Sequence, residues 1–313
     1  MRLLITGGAG FIGSHIADKA VAKGWDVAVL DSLVSGRRAN VPDAAEFFEC
    51  DIRDQAAVEH VFAEFKPTAV SHQAAQASVA ISVREPQMDA DVNVIGSLNI
   101  MTACVAHGVE TIVFASTGGA IYGEVPEGTR AGVDFSPVPI SPYACSKFSV
   151  EKYLECFRVE HGLQYTVLRY ANVYGPRQDP HGEAGVVAIF CNRILAGESL
   201  LINARCDVGD AGCIRDYVFI EDVAGANMAA LESEIPDRIL NVGTGQETTT
   251  QQLAEILQRE TGRSVEVKPH AKRAGDIERS LLDADRLIEL RGPVVDINSG
   301  LKQTAHWFQQ RLK

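Results

Sequence analysis

The sequence predicts an α/β protein built around a doubly wound parallel sheet, and three observations carry that reading. Short apolar runs of buried-strand length alternate with longer segments whose apolar residues recur at helical spacing. The first run, Leu3-Leu4-Ile5, ends in the glycine-rich turn Thr6-Gly7-Gly8-Ala9-Gly10, after which Gly13 opens a helical pattern with Ile16, Ala20 and Val21. The second run, Val27-Ala28-Val29-Leu30, ends on Asp31.

A strand, a tight turn, a helix and a second strand ending in an acid form a unit suited to a dinucleotide. Backbone N–H groups at the positive helix terminus meet the pyrophosphate, and the acid meets the ribose. Gly8, Gly10 and Gly13 have the G-x-G-x-x-G spacing of that unit, so this half of the chain reads as a Rossmann-type domain.

The elements follow in order. Ser32–Arg38 is a polar loop, and Glu46–Glu49 a short strand leading to Cys50, Asp51 and Ile52, where Asp51-Ile52 can bracket an adenine. A helix over Gln55–Phe65 aligns Val58, Phe62 and Phe65 and stops before Pro67, and Ala69–His72 is the next strand. A helix from Asp91 to His107 carries a stripe of Val94, Leu98, Met101 and Val105, with Gly108 as its stop. Thr111–Ala115 is a buried strand, Ser141-Pro142 opens a long helix closed at His161 by Gly162, and Gln164–Arg169 is the strand that completes a domain over 1–169.

Beyond Arg169 the texture changes. Gly175, Pro176, Pro180, Gly182 and Gly185 crowd one loop, and 170–313 reads as a smaller mixed α/β domain for substrate. Arg215-Asp216-Tyr217-Val218 precedes a helix from Asp222, and a segment near 216–243, ending in Leu240–Gly243, returns to the first domain. A helix over Thr250–Thr261, a strand over Val265–Val267 and a helix ending at Trp307-Phe308 close the chain.

Charge and composition exclude several functions. A net charge of −12 over 313 residues leaves no basic face for nucleic acid or an anionic membrane. No apolar segment approaches the ~20 residues that span a bilayer, and Met1 runs straight into the first strand, so the expected setting is cytoplasmic. The seven cysteines are scattered without a C-x-x-C pair, and the eight histidines form no H-E-x-x-H, so reduced thiols and no metal site are expected.

The candidate chemistry lies on the helix opened by Ser141. Tyr143 and Lys147 are four residues apart, which puts both on one helix face. The preceding strand leads to Ser116 and Thr117 at the sheet end where doubly wound folds bind ligands. A phenol, an ammonium and a hydroxyl then converge. A neighbouring ammonium and an oxidised nicotinamide both favour the phenolate, so Tyr143 can take a hydroxyl proton while hydride leaves the same carbon. A half-buried tyrosine beside a solvated lysine is the plain alternative at this spacing.

Taken together, Thr6–His15, Asp31, Asp51-Ile52, His72-Gln73-Ala74-Ala75, Asn93, Ser116-Thr117, Tyr122-Gly123, Tyr143-x-x-x-Lys147 and Arg169–Arg177 resemble the extended short-chain dehydrogenase/reductase family. The resemblance is strongest to its nucleotide-sugar epimerases of the UDP-glucose 4-epimerase type. It extends through Arg215–Val218, Asn241–Gly245 and Arg273-Ala274-Gly275-Asp276.

The resemblance implies NAD as cofactor, held at the turn by Gly7, Gly10, Phe11, Ile12 and Gly13 and at the adenosine by Asp31, Ser32, Asp51 and Ile52. Ala74, Ala75, Gln76, Asn93 and Tyr170 belong to the same cofactor set, and Tyr143 and Lys147 grip the nicotinamide ribose. Tyr143 is then the base, with Thr117 sharing the 4-hydroxyl of the sugar. Asn172, Val187, Arg215, Arg273 and Asp276 bind the UDP-sugar, an arginine fork matching a diphosphate. A homodimer through the Asp91 and Tyr143 helices is implied as well.

Some positions depart from the pattern. Related 4,6-dehydratases carry an acid pair directly after the serine or threonine, where this chain has Gly118-Gly119, so elimination lacks its proton donor and acceptor. The Ser116–Tyr122 loop is one residue longer than in many epimerases. Glu183-Ala184-Gly185-Val186-Val187 replaces a loop asparagine, leaving backbone near Val186 and Val187 in its place. Ser280 is small where the family gates N-acetylated sugars, which leaves room for UDP-N-acetylhexosamines. Arg37-Arg38 raises NADP, but Asp31 would repel a 2′-phosphate. The expected reaction is reversible C4 epimerisation of a UDP-hexose. Alternatives are another nucleotide-sugar epimerase, including one acting on UDP-glucuronate, a net oxidoreductase, or a non-catalytic NAD-binding module.

Overall fold

A computed structural model describes residues 1–180, 185–273 and 276–311. Gly182, Glu183, Ala184, Ala274 and Gly275, named above, lie outside the described residues. The strands are β1 Arg2–Thr6, β2 Asp26–Asp31, β3 Glu46–Glu49, β4 Ala69–His72, β5 Thr111–Thr117, β6 Gln164–Tyr170, β7 Asn172–Tyr174, β8 Leu200–Asn203, β9 Ile214–Arg215, β10 Tyr217–Phe219, β11 Ile239–Val242, β12 Thr248–Thr249, β13 Val267–His270 and β14 Arg279–Ser280. The helices are α1 Phe11–Ala22, α2 Gln55–Phe65, α3 Val79–Arg84, α4 Pro86–Ala90, α5 Gly96–Ala106, α6 Gly118–Ile121, α7 Pro142–His161, α8 Val186–Ala196, α9 Ile220–Leu231, α10 Thr250–Thr261, α11 Asp285–Arg291 and α12 Ile297–Gln310.

Seven strands form one sheet in the order β11-β6-β5-β4-β1-β2-β3, with parallel pairing from β3 through β5. The order reverses on either side of β1, which makes the sheet doubly wound and marks the carboxyl ends of its strands as the place where such sheets take ligands. Alternate residues serve opposite faces. Leu4, Ala28, Leu30, Val70, Ile112 and Phe114 meet Val58 and Phe62 of α2, Ile100 and Met101 of α5, and Val150 and Leu154 of α7 in one buried cluster. Their neighbours Leu3, Ile5, Val27 and Val29 are buried on the other side.

The chain forms two compact units. The first comprises Met1–Thr117, Ser141–Arg169 and Val223–Leu240, and the second Gly118–Ile140, Tyr170–Asp222 and Asn241–Lys313. Residues 118–140, read above with the first domain, cluster with the second unit, where Tyr122 Oη donates to Asn241 Oδ1 at 3.0 Å. In that unit α8, α10 and α12 pack on one another.

Local chemistry sets the boundaries. Asp54 caps α2 by accepting from Ala57 N, and Ser141 caps α7 by accepting from Ala144 N. Gly162 ends α7 at φ 77°, and Thr249 and Gln252 form a capping box on α10.

Two expectations shift. The stripe Val94-Leu98-Met101-Val105 is only partly the buried face: Met101 is buried and Leu98 packs against the core, but Val94 is half-buried and Val105 exposed, with Asp91–Ile95 forming a π-helical turn between α4 and α5. Asn93, Ser97, Ile100 and Cys104 also point inward, and Ile95 is exposed. The strand expected at Val265–Val267 lies instead at Val267–His270, in parallel register with β8. Its residues are exposed, so cross-strand pairing and not apolar burial determines where it falls.

Helix α7 is tied to the sheet by a buried ion pair. Arg169 of β6 donates from Nη2 to Glu151 Oε2 at 2.6 Å and from Nε to Oε1 at 3.0 Å, and Ser116 Oγ donates to the same Oε1 at 2.5 Å. Removing one partner of a buried pair strands the other charge. Glu151→Ala is therefore expected to cost about 3–5 kcal/mol in urea unfolding. Arg158→Ala, which breaks a more exposed pair with Glu155 on the same helix, is expected to cost far less, because solvent screens that pair. Equal losses in the two variants would contradict this ranking.

Candidate active site

The β1–α1 turn has the shape a pyrophosphate requires. Gly7 has φ 68°, and a side chain there would come within 2.6 Å of Ala74 N. A side chain at Gly13 would collide with the Gly7 carbonyl oxygen. Gly10 at the N-cap offers no side chain to the first N–H groups of α1, so Phe11, Ile12 and Gly13 present a helix terminus with no side-chain cap. The residues present fit a dinucleotide phosphate.

Asp31 is buried at the end of β2. Its Oδ2 accepts from Ala9 N at 3.0 Å and its Oδ1 from Leu33 N at 2.8 Å. Burial raises its carboxyl pKa, and these backbone donors oppose that rise. The acid thus braces the glycine turn. Ser32 beside it is exposed. Asp51 is held below its usual value by Arg53, whose Nη2 lies 2.6 Å away, and Ile52 packs against Gly96.

A chain of hydrogen bonds crosses the buried top of this unit. Ser97 Oγ donates to the Asn93 carbonyl at 2.6 Å, so His72 Nε2, 2.9 Å away, donates to Ser97, and His72 Nδ1 accepts from Thr6 Oγ1 at 2.6 Å. Thr6 in turn accepts from Ala74 N at 3.2 Å. The chain assigns His72 as neutral, with its proton on Nε2. Burial first, then the charge of Lys147, lowers its pKa to about 3. Asn93 closes the loop by accepting from Gln76 N at 2.9 Å and donating to Gln76 O at 3.0 Å. Ala74 and Gln76 are therefore fixed to β1 and to the π-helical turn, and Ala75 between them is half-buried.

Tyr143 and Lys147 do share one face of α7. Lys147 is 3% exposed, donates from Nζ to Ala115 O at 2.9 Å and sits 4.8 Å from the Phe114 ring centroid. Burial lowers its pKa to about 8. Burial raises the Tyr143 phenol to about 12, the carboxylate of Asp89 pushes the same way, and a hydrogen bond with Thr117 opposes both. Thr117 is thus in contact with the phenol despite the longer Ser116–Tyr122 loop. Asp89 is a residue that motif reading passes over. It is fully buried on α4, and the only sequence signal is its spacing of four from Asn93.

The second unit contains a cavity of about 400 Å³ lined by Asn172, Arg215, Arg273 and Asp276. Arg193, Asn203, Phe190, Tyr217 and Thr250 line it too, none of them signalled by the motifs. Three arginines, an acid and two aromatic rings suit a ligand that combines phosphate, ribose and a flat base. Val187 does not line this cavity. Its side chain is buried in the core, and Val186, one residue earlier, faces the cavity instead. Tyr170 is buried at the end of β6. Asp216 is buried behind Arg215 and accepts from Thr244 N, Thr244 Oγ1 and Gly245 N at 2.7–3.0 Å, which fixes the 243–245 turn. Ser280 is buried, with Oγ donating to Gly119 O at 3.3 Å.

Comparison with known proteins agrees with this geometry. Residues 3–243 match the NAD dependent epimerase/dehydratase family, and the chain belongs to that family. It is 42% identical over 318 residues to a UDP-glucose 4-epimerase of Mycolicibacterium smegmatis, covering 99% of each. Its fold superposes with a TM-score of 0.95 on the Thermus thermophilus UDP-glucose 4-epimerase complex with NAD, at 52% identity over 99% of both chains. The Thermotoga maritima UDP-glucose 4-epimerase with UDP-glucose matches at a TM-score of 0.93 and 47% identity over the whole of both chains.

The neutral state of His72 has a consequence for stability. The unfolded chain takes up a proton on this side chain below its usual 6.5, whereas the folded protein resists until about 3. Stability from this group is therefore full above 6.5 and is lost progressively as pH falls toward the folded value. The thermal midpoint of the parent is expected to fall more steeply between pH 6.5 and about 5 than that of His72→Asn. Parallel curves would contradict the assignment.

Proposed function

We propose that the chain catalyses the reversible inversion of C4 in a UDP-hexose, interconverting UDP-galactose and UDP-glucose with bound NAD. The observation that carries the proposal is the cluster of Tyr143, Lys147 and Thr117 at the carboxyl end of β5. The arginine-lined cavity of the second unit supports a nucleotide diphosphate as the handle.

NAD, when bound, supplies the hydride acceptor and donor together with a positive ring that favours a phenolate. The residues supply the rest. Tyr143 takes the proton from the sugar 4-hydroxyl, and Thr117, already bonded to the phenol, shares that hydroxyl. Lys147 holds an ammonium close to the phenol, and a pKa near 8 keeps it charged at neutrality. Asn172, Arg215, Arg273 and Asp276 hold the nucleotide while the 4-keto sugar turns and presents its other face. Gly7, Gly10, Gly13 and Asp31 retain the cofactor through both half-reactions.

Elimination, the other reaction of the family, is disfavoured. Gly118-Gly119 offers neither acid nor base, and a side chain at Gly119 would come within 3.2 Å of Asn172 Oδ1. The small Ser280 leaves UDP-N-acetylhexosamines as a second substrate class.

The functional form is a homodimer. Ile95, Tyr153 and Val159 expose apolar surface on the π-helical turn and on α7, at 42–62% of their area. The setting is cytoplasmic, in keeping with seven free cysteines. No helix among the described residues is long and apolar enough to cross a membrane.

Purified enzyme is expected to interconvert the two UDP-sugars without added cofactor and without accumulating NADH. NADH rising in step with product would instead mark a net oxidoreductase. Tyr143→Phe is expected to lose at least ~100-fold in kcat while its UDP-sugar affinity changes little, and near-parental turnover would refute Tyr143 as the base. Sedimentation equilibrium is expected to give twice 33.8 kDa for the parent and a monomer for Ile95→Asp/Tyr153→Asp. A monomeric parent would refute the dimer.

A further inference from the structure

Asp89 is a fully buried carboxylate with no part in the motifs above. Its Oδ1 accepts from Gln76 Nε2 at 2.8 Å and from Asn93 Nδ2 at 2.9 Å, and its Oδ2 accepts from Ser146 Oγ at 2.7 Å. Gln76 and Asn93 hold the loop after β4, where the cofactor set lies. Ser146 is on α7, between Tyr143 and Lys147 in the chain. One acid therefore joins that loop to the helix carrying the phenol and the ammonium. Gln76 is itself fixed through Ser78, whose N donates to Gln76 Oε1 at 2.5 Å, so the tie is stiff on the loop side.

We propose that Asp89 is a positioning residue for the epimerisation: it locks the 74–78 loop against the Tyr143–Lys147 face of α7 through Gln76, Asn93 and Ser146, and its carboxylate acts on the charge of both groups on that face. This rests on the epimerase reading.

The electrostatics agree with the geometry. Lys147 is faced by Ala115 O and the Phe114 ring from β5, by neutral His72 from β4 and by Asp89 from α4. Tyr143 is faced by Thr117 from β5 and by Asp89. Burial of Lys147 alone pulls it toward losing its proton, and Asp89 counters that. The same charge makes the phenol harder to ionise, so Asp89 keeps the ammonium at some expense to the base. Removing the charge moves both groups toward lower pH.

The test uses the NAD-loaded parent, Asp89→Asn and Ser146→Ala. Asp89→Asn is expected to lose ~10-fold or more in kcat, with the alkaline limb of its pH profile moved down by about one pH unit. Tyrosinate absorption of Tyr143, isolated by subtracting the spectrum of the Tyr143→Phe enzyme, is expected to appear at lower pH in Asp89→Asn than in the parent. Ser146→Ala keeps the charge and loses the grip on α7, so its kcat is expected to fall ~3–10-fold with an unmoved profile. An unmoved profile and tyrosinate onset in Asp89→Asn would overturn the electrostatic role. Parental kcat in Ser146→Ala would overturn the coupling, and this arm decides the matter if Asp89→Asn fails to fold. A parent that does not interconvert UDP-sugars refutes the epimerase reading alone, because the tyrosinate titration needs no turnover and still tests Asp89.

Discussion

The buried ion pair between Glu151 and Arg169 is the constraint on which the arrangement of the first unit depends. It fixes the depth of α7 against β6, and through Ser116 it also fixes the end of β5. Tyr143 and Lys147 lie upstream on the same helix, so their distance from Thr117 follows from where Glu151 is held. An ion pair this deep adds little net stability compared with apolar packing, yet it admits only one geometry. Register is what a proton-transfer site needs most, because reach of about 3 Å separates a working base from an idle one.

Polar groups are gathered at the carboxyl end of the sheet to a degree the core below does not tolerate. Thr6, His72, Ser97, Asn93 and Asp89 are all buried, and each has its partners. A partly satisfied network here would cost more than an apolar one. Completed, it carries the loop after β4 and the π-helical turn as one rigid piece beside α7. The π turn belongs to this design: it lies where Asn93 and Ser97 are turned inward to join the network.

Much of the first unit was legible in the sequence because its signals are local. Period-two and period-3.6 patterns, Pro67, Gly162 and the Ser141 cap mark elements from within a few residues. The spacing of four between Tyr143 and Lys147 likewise dictates a shared helix face. What escaped depends on distant partners. The residues of β13 are all exposed and are placed by their register with β8, so hydropathy could not find that strand. Asp89 looks like any surface acid until Gln76, Asn93 and Ser146 are seen around it. Val186 and Val187 are alike as residues, and only the orientation of α8 decides which of them meets the cavity. Residues 118–140 lack an element strong enough to announce that they join the second unit.

The central claim is that one proton acceptor and one resident cofactor take hydrogen from C4 and return it to the opposite face within a single binding event. Its most direct test is the fate of that hydrogen. With UDP-galactose carrying deuterium at C4, the account predicts that the UDP-glucose formed keeps the deuterium at C4, with none lost to water or to added NADH. Deuterium washed out into solvent, or found in an exchanging NADH pool, would contradict it.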